Sequence, residues 1–419
     1  MAASTRPLRT ALIGLSSSPT GYGWLNHFHL PAIRDQHTNE LEIVAVLGSS
    51  LSNAQKAIAK HGLPPSKVRA YGSPEDLAAD DEVEVEVLVV GVKAPLHRAV
   101  LLPSLLANKR LKGVFVEWPI DTSLAKTQEI VRLARQRFPG LRTAVGLQGR
   151  FSALTRRISE LVRGDSRRLG RILSTTVIGT VPTGDGRSEK RGSQYALDPR
   201  NGATMVDIHF AQFIECLTFA LGADIKTVSG RVATMHPTTN IVDDTTGEIV
   251  QRDAEKKSPD QVLVQGFLKS KPNSNSNERS EKHTGDDEEG KEDDNDKIVY
   301  SIHMRGGTSI AGGMTWLIYG TKGEMEITSP IHMLPHINLP VPWKIRTRIE
   351  GEANVSEEQV SEQEAGQPAV ARLWNAFVGA AGDREGDDGW PDFEHALKIH
   401  RVVDAVWTSS RDGKVVELL

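Results

Sequence analysis

The sequence predicts an α/β protein, with an N-terminal doubly wound parallel sheet and a C-terminal α+β domain on an open, mostly antiparallel sheet. Two observations predict this. Over residues 8–148, short apolar runs alternate with helical stretches, the signature of βαβ units. Beyond Arg150, longer β-like runs follow one another with few helices between them. The length of 419 residues suits this division, with residues 1–150 as a first domain and 151–419 as a second.

In order, Leu8–Leu15 reads as the first strand and the segment after Trp24 as a helix. Leu41–Leu47 is the next strand, Ser52–Lys60 a helix, Val83–Val92 a strand and His97–Asn108 a helix. Val114–Glu117 and Thr143–Leu147 are strands flanking the helix Leu124–Gln136. The second domain opens with a helix, Leu154–Arg163. β-like runs follow at Arg171–Ile178, Ile225–Met235, Gln261–Leu268, Lys297–Arg305 and Met314–Ile327, and a last helix at Asp392–Ser409. Lys269–Lys297 carries ten acids against six bases, a surplus of four that equals the net charge of the whole chain. With almost no apolar residues it cannot offset its ordering entropy, so a disordered insert between paired strands is expected there.

Fifty basic residues against 54 acidic ones argue against a nucleic-acid binder. Cys216 is the single cysteine and can form no internal disulfide, which points to a reducing compartment. No apolar run approaches the roughly 20 residues that span a bilayer, so no membrane partner is expected. The expected location is cytoplasmic, or nuclear for a regulator.

The first strand ends in ALIGLSSSPTGYGW. A dinucleotide turn needs small residues so that backbone N–H groups and a helix N-terminus can approach a pyrophosphate. Gly14, Ser16, Ser17 and Gly21 supply that smallness, although the spacing is not G-x-G-x-x-G. The next strand ends in Gly48-Ser49-Ser50, where an NAD site usually carries an acid for the ribose hydroxyls. Ser49 and Ser50 leave room for a 2′-phosphate, so the cofactor expected is NAD(P), with NADP slightly favoured.

Several ordered segments carry a resemblance: His29-Leu30-Pro31-Ala32-Ile33, Val92-Lys93-Ala94-Pro95-Leu96-His97, Phe115-Val116-Glu117-Trp118-Pro119, Leu147-Gln148-Gly149-Arg150, Gly320-Thr321-Lys322-Gly323-Glu324 and Leu397-Lys398-Ile399-His400-Arg401. In these the chain resembles the glucose–fructose oxidoreductase, inositol dehydrogenase and rhizopine-catabolism (Gfo/Idh/MocA) family, in the fungal branch that includes the galactose-pathway repressor. The resemblance implies a Rossmann domain binding NAD(P). It also implies a second domain whose open sheet supports the substrate pocket and often a homodimer interface.

Active members place a lysine in E-K-P beside the nicotinamide and a histidine on the helix that opens the second domain, to move a proton while hydride is transferred. Here the lysine position is Trp118, whose indole donates one hydrogen bond and shuttles no proton. Trp118 could stack on the nicotinamide, wall an apolar pocket or simply fill space. The histidine position is Gln212, and the acid three residues later is Glu215. Asp207 and His209, with Gln212, are the substitute catalytic candidates; His97 and Tyr195 are others. Lys93, His97, Glu117 and Trp118 are expected around the cofactor.

His27-Phe28-His29 lacks the further ligands a metal needs, so no metal is expected. Two readings stand. One is an NAD(P)-dependent oxidoreductase with a non-standard active site, acting on a small sugar, polyol or other carbonyl or hydroxyl metabolite, with fungal specialised metabolism as its expected setting. The other is a catalytically inactive dinucleotide-binding regulator or sensor, whose partner is a protein.

Overall fold

Strands and helices alternate from the start of the computed structural model, which describes residues 6–18, 23–164, 167–182, 185–271, 296–310, 312–337, 342–379 and 389–418. β1 (Leu8–Ile13), β2 (Leu41–Leu47), β3 (Arg69–Tyr71), β4 (Val87–Val90), β5 (Gly113–Val116) and β6 (Arg142–Val145) form a parallel sheet in the order β3-β2-β1-β4-β5-β6. The crossovers use α1 (Leu30–Gln36), α2 (Leu51–Lys60), α3 (Pro74–Ala79), α4 (His97–Ala107) and α5 (Leu124–Arg137). The apolar runs are continuous because both sheet faces are covered, and successive residues feed opposite layers. Ile13, Leu88, Val90, Val114 and Val116 pack in one core with α4 and α5, while Leu12, Val87, Val89 and Phe115 pack in another with α1 and α2.

Past α6 (Ala153–Arg163), β7 (Ile172–Val181) enters the middle of a larger sheet. β8 (Ser188–Lys190) stands outside it. α7 (Ala211–Leu221) then leads to β9 (Ala223–Ile225), β10 (Thr227–Ala233), β11 (Thr238–Val242), β12 (Ile249–Glu255) and β13 (Gln261–Ser270). β14 (Lys297–Gly306) pairs antiparallel with β13 in register from Gln261↔Arg305 to Lys269↔Lys297. β15 (Met314–Gly320), β16 (Gly323–Ser329), β17 (Trp343–Ile349) and β18 (Ser356–Val360) extend one side. α8 (Ala369–Val378), α9 (Phe393–Asp412) and β19 (Val416–Glu417) close the chain. The sheet order is β18-β17-β16-β15-β7-β14-β13-β10-β19, antiparallel throughout except for β7–β14. Most of the charged insert expected at 269–297 lies outside the described residues, but the strands on either side of it do pair.

The larger sheet buries Val177, Val264, Ile302, Trp316 and Ile318 on one face. The other face leaves Ile178, Leu263, Phe267, Val299 and Tyr319 in the open, between 42% and 61% exposed. The register sets Ile178, His303 and Leu263 side by side and pairs Phe267 with Val299, with the polar row Thr176, Ser301 and Gln265 between the two groups. α8 returns to the first sheet, where Leu373, Trp374 and Phe377 pack against Phe115. The helical run 199–221 is long and apolar enough to span a bilayer by composition, but 89% of its most apolar window is buried inside this fold, as in a core helix.

Candidate functional site

The strand order reverses between β1 and β4, and a doubly wound sheet binds its ligand at the carboxyl ends of the strands at such a point. A cleft of about 540 Å³ opens there. Gly14, Ser16, Trp24 and Lys93 line one wall, and Lys190, Gly192, Tyr195 and Asp244 of the second domain line the other.

The turn is built for close approach. Gly14 has φ +100°, and a Cβ on it would stand 2.6 Å from Val92 Cγ1. Asn26, on the first helical turn, fixes the loop from both sides. Its Oδ1 accepts from Ser16 N at 2.9 Å, and its Nδ2 donates to Ser16 O at 3.2 Å. Lys60 Nζ donates to Ser18 O at 2.6 Å. Trp24 lines the cleft with a buried indole N–H that has no hydrogen-bond partner among the described residues. A tight glycine turn leading to a helix N-terminus is the feature that binds a dinucleotide's pyrophosphate, so the residues present fit that group.

Of the residues singled out from sequence, Gly14, Ser16 and Lys93 line the cleft, and Ser17 is half-buried on the same turn. Gly21 lies outside the described residues. Ser50 caps α2, its hydroxyl accepting from Asn53 N at 3.2 Å, and Ser49 accepts from Asn53 Nδ2 at 2.8 Å. Lys93 reaches across the cleft, its Nζ 5.0 Å above the Tyr195 ring. Burial pushes the Tyr195 phenol up from its ordinary pKa, with Glu189 adding, so it keeps its proton.

His97, Glu117 and Trp118 lie beneath the cleft rather than on its wall. The His97 ring nitrogens stand 2.9 Å from Val92 O and 2.8 Å from Pro119 O, tying the end of β4 to the loop after β5. Burial holds His97 below its ordinary pKa. Glu117 Oε1 is 2.5 Å from His29 Nε2, and Trp374 Nε1 donates to His29 Nδ1 at 3.0 Å. Because Nδ1 accepts, the neutral ring carries its proton on Nε2 and donates it to Glu117. Trp118 is 6% exposed, and its Nε1 donates to Asp207 O at 2.6 Å across the domain junction.

The catalytic candidates sit at that same junction. Asp207 is buried and accepts from Thr204 N, Thr204 Oγ1 and Trp407 Nε1, at 3.0, 2.6 and 3.1 Å. Burial raises its carboxyl above the usual range in spite of those bonds. Gln212 Nε2 donates to Gly146 O at 2.7 Å. Burial, with His332 adding, pushes His209 down to about 4. Glu215 faces elsewhere: Arg150 Nε donates to it at 2.5 Å, and His395 bonds its other oxygen. Burial pushes Glu215 up, but Arg150 and His395 prevail and hold it well below the usual carboxylate range.

Sequence reasoning missed two histidines. His332 and His336, from the segment after β16, come near His209, and their fields depress one another. A Cβ on Gly149 would touch both Gln212 O and the His336 side chain. The Oε1 atoms of Gln148 and Gln212 and the Nδ1 atoms of His332 and His336 are buried without a hydrogen-bond partner among the described residues. Together they make a buried polar cluster whose bonds the described residues do not complete. No spacing announces it, since its members come from α7, the turn before α6 and the segment after β16. Asn26, Lys190 and Asp244 were missed for the same reason.

Residues 20–142 match the oxidoreductase family with an NAD-binding Rossmann fold. Residues 154–286 match the C-terminal domain of Gal80p, and the two matches together take in more than half of the chain. The chain is thus similar in its first part to the Gfo/Idh/MocA oxidoreductase family and in its second to Gal80p. Over its whole length it is similar to two fungal proteins. The dehydrogenase aclE of Aspergillus oryzae is 26% identical, over 98% of each chain. The galactose/lactose metabolism regulatory protein GAL80 of Kluyveromyces lactis is 22% identical, over 99% of this chain and 96% of that one. A super-repressor mutant of Gal80p from Saccharomyces cerevisiae has the same fold, with a TM-score of 0.77 at 21% identity, covering 98% of this chain and 97% of that one.

Proposed function

We propose that this protein binds NAD(P) in the cleft between β1 and β4 and works as an oxidoreductase on a small neutral sugar, polyol or other carbonyl or hydroxyl compound. The observation that carries this reading is the cleft with its tight glycine turn. At the domain junction His332 and His336, held neutral by burial, and the carboxamides of Gln148 and Gln212 add donors and acceptors without charge. Such surroundings suit hydroxyl groups and disfavour carboxylates. The bound cofactor supplies hydride acceptance or donation at its nicotinamide. Gly14 and the helix N-terminus after it hold the pyrophosphate, Lys93 and Tyr195 close the cleft from opposite walls, and His209 or Tyr195 holds the proton exchanged with substrate oxygen. Ser49 and Ser50 in place of a ribose-binding acid favour NADP slightly.

A second reading rests on a different observation. Trp118 and Gln212, in place of the family's lysine and histidine, are both engaged in bonds that join the domains. That use supports a dinucleotide-binding regulator with a protein partner. One titration serves both readings. NADH and NADPH should quench Trp24 and receive its energy at micromolar concentration, and a Gly14→Glu variant should lose this. Absence of binding by either cofactor, oxidised or reduced, at millimolar concentration overturns both. Binding without turnover across sugars and polyols decides for the regulator.

The open apolar sheet face supports a homodimer. Ile178 with Leu263, and Phe267 with Val299, form two apolar groups on the exposed side of β7, β13 and β14, with Thr176, Ser301 and Gln265 between them. Light scattering should give twice the chain mass, and an Ile178→Glu, Leu263→Glu variant should give the monomer. A wild-type monomer at tens of micromolar would overturn the dimer.

A further inference from the structure

The far wall of the cofactor cleft comes from a small unit of the second domain. β8, β11 and β12 form a three-stranded sheet in the order β12-β11-β8, and the helical turn Arg191–Leu197 follows β8. The unit has a core of three residues, Leu197, Ile241 and Ala254. β8 joins it through three pairs, from Asn240↔Ser188 to Val242↔Lys190. An element with so few buried apolar contacts has little local stability of its own. Its base is fixed, because Lys257 N and Ser258 N both bond Leu197 O, and the buried Lys256 Nζ donates to Asp260 at 2.9 Å and to Ser258 O at 3.0 Å. Its front, with Lys190, Gly192, Tyr195 and Asp244, faces the Gly14 turn.

Two ammonium groups line this cleft, Lys93 from the first domain and Lys190 from the second. Both residues are exposed, and among the described residues neither stands in an ion pair. Lys93 Nζ meets the face of the Tyr195 ring. Asp244 is the one carboxylate among the described lining residues, and it is turned to its own wall, where its two oxygens accept from Gly192 N at 3.1 and 3.0 Å. Glu189 precedes Lys190, but successive side chains of a strand take opposite faces. Burial also raises the Glu189 carboxyl above its usual range, which favours the uncharged form. The indole N–H of Trp24, buried without a partner among the described residues, lines the same cleft. Ammonium groups left open on facing walls suit a ligand that carries adjacent negative charges between them.

We propose that the second domain takes part in holding the dinucleotide: Lys190 contacts the pyrophosphate from the wall that faces the Gly14 turn, opposite Lys93, and this contact orders the three-stranded unit. The inference rests on the dinucleotide reading of the cleft and adds a binding residue to it. The cofactor then bridges the two domains. Its presence is felt outside the cleft, because β11, whose end carries the turn with Asp244, pairs with β8 on one side and with the exposed strand β12 on the other.

The test is a titration of the full chain with NADH, followed by energy transfer from tryptophan, with amide hydrogen exchange of residues 188–195 and 238–244 measured beside it. Lys190→Gln should weaken NADH binding about fivefold, the weight of one partly exposed charge contact, and Lys190→Arg should keep it. Arg187→Gln removes a charge of the same segment that does not line the cleft, and should stay within about twofold of wild type. Saturating NADH should slow exchange in both stretches of the wild type by about threefold and leave them in Lys190→Gln as in the free chain. If the wild type binds no NADH, the dinucleotide reading fails and takes this proposal with it. If the wild type binds and Lys190→Gln binds equally well, this proposal alone is overturned. Equal losses in Lys190→Gln and Arg187→Gln overturn it too, as do equal losses in Lys190→Gln and Lys190→Arg, since the general field or the shape of the segment then accounts for them. So does exchange that NADH leaves unchanged in both stretches.

Discussion

Glu215 is an acid that the family resemblance would place near the chemistry, and the fold employs it elsewhere. Its carboxylate is fully buried between Arg150 and His395. A buried ion pair is costly to break because removing one partner strands the other's charge in a poorly solvated place. Glu215→Gln keeps the shape and removes the negative charge that Arg150 and His395 face. The variant should lose roughly 3–5 kcal/mol of stability, read as a lower midpoint in chemical denaturation. An unchanged midpoint would mean that the network carries no stability.

At the scale of elements, the turn from β1 into the first helix is the part most sensitive to one added carbon. Gly14 needs its positive φ and has Val92 Cγ1 where a Cβ would go. Gly14→Ala should therefore cost about 1–3 kcal/mol from backbone strain and weaken NADH binding by moving the turn. Retained stability and affinity together would show that the turn relaxes freely. Elements of this kind were legible in the sequence because periodicity reports local burial. The parallel strands at Leu41–Leu47 and Gly113–Val116, and α9 with its Asp392 cap, follow from patterns within one segment. The polar lining was not legible. His332 and His336 sit in an irregular segment and meet His209 and Gln148 only through tertiary packing. Trp118 was visible as a departure from the family's lysine, but its bond to Asp207 O depends on two domains meeting. Burial of α8 against Phe115 was hidden likewise, since nothing in Ala369–Val378 says which sheet its apolar stripe will cover.

For the whole molecule, the domain junction holds several imidazoles that are neutral in the folded state, and this fixes how stability depends on pH. Burial pushes both His209 and His400 down to about 4, with His332 adding at His209 and Asp121 opposing at His400. Burial lowers His97 and His336 as well. In the unfolded chain each titrates near 6.5. Below that value the unfolded state takes up protons that the folded state refuses, so ν_U exceeds ν_N and stability falls as pH falls. The contribution is complete above about pH 6.5 and is lost progressively toward pH 4, at up to about 1.4 kcal/mol per pH unit for each histidine. Asp207, Glu189 and Glu362 lean the other way, since burial raises their carboxyls and the folded state holds their protons more tightly. A difference measurement separates the two groups. A His209→Gln, His400→Gln variant keeps every carboxyl, so its denaturation midpoint should decline less steeply than wild type between pH 6.5 and 4.5, with the curves parallel above pH 7. Parallel curves throughout would mean that these rings reach solvent in the folded state, and the neutral, hydroxyl-selective lining inferred for the site would fall with them.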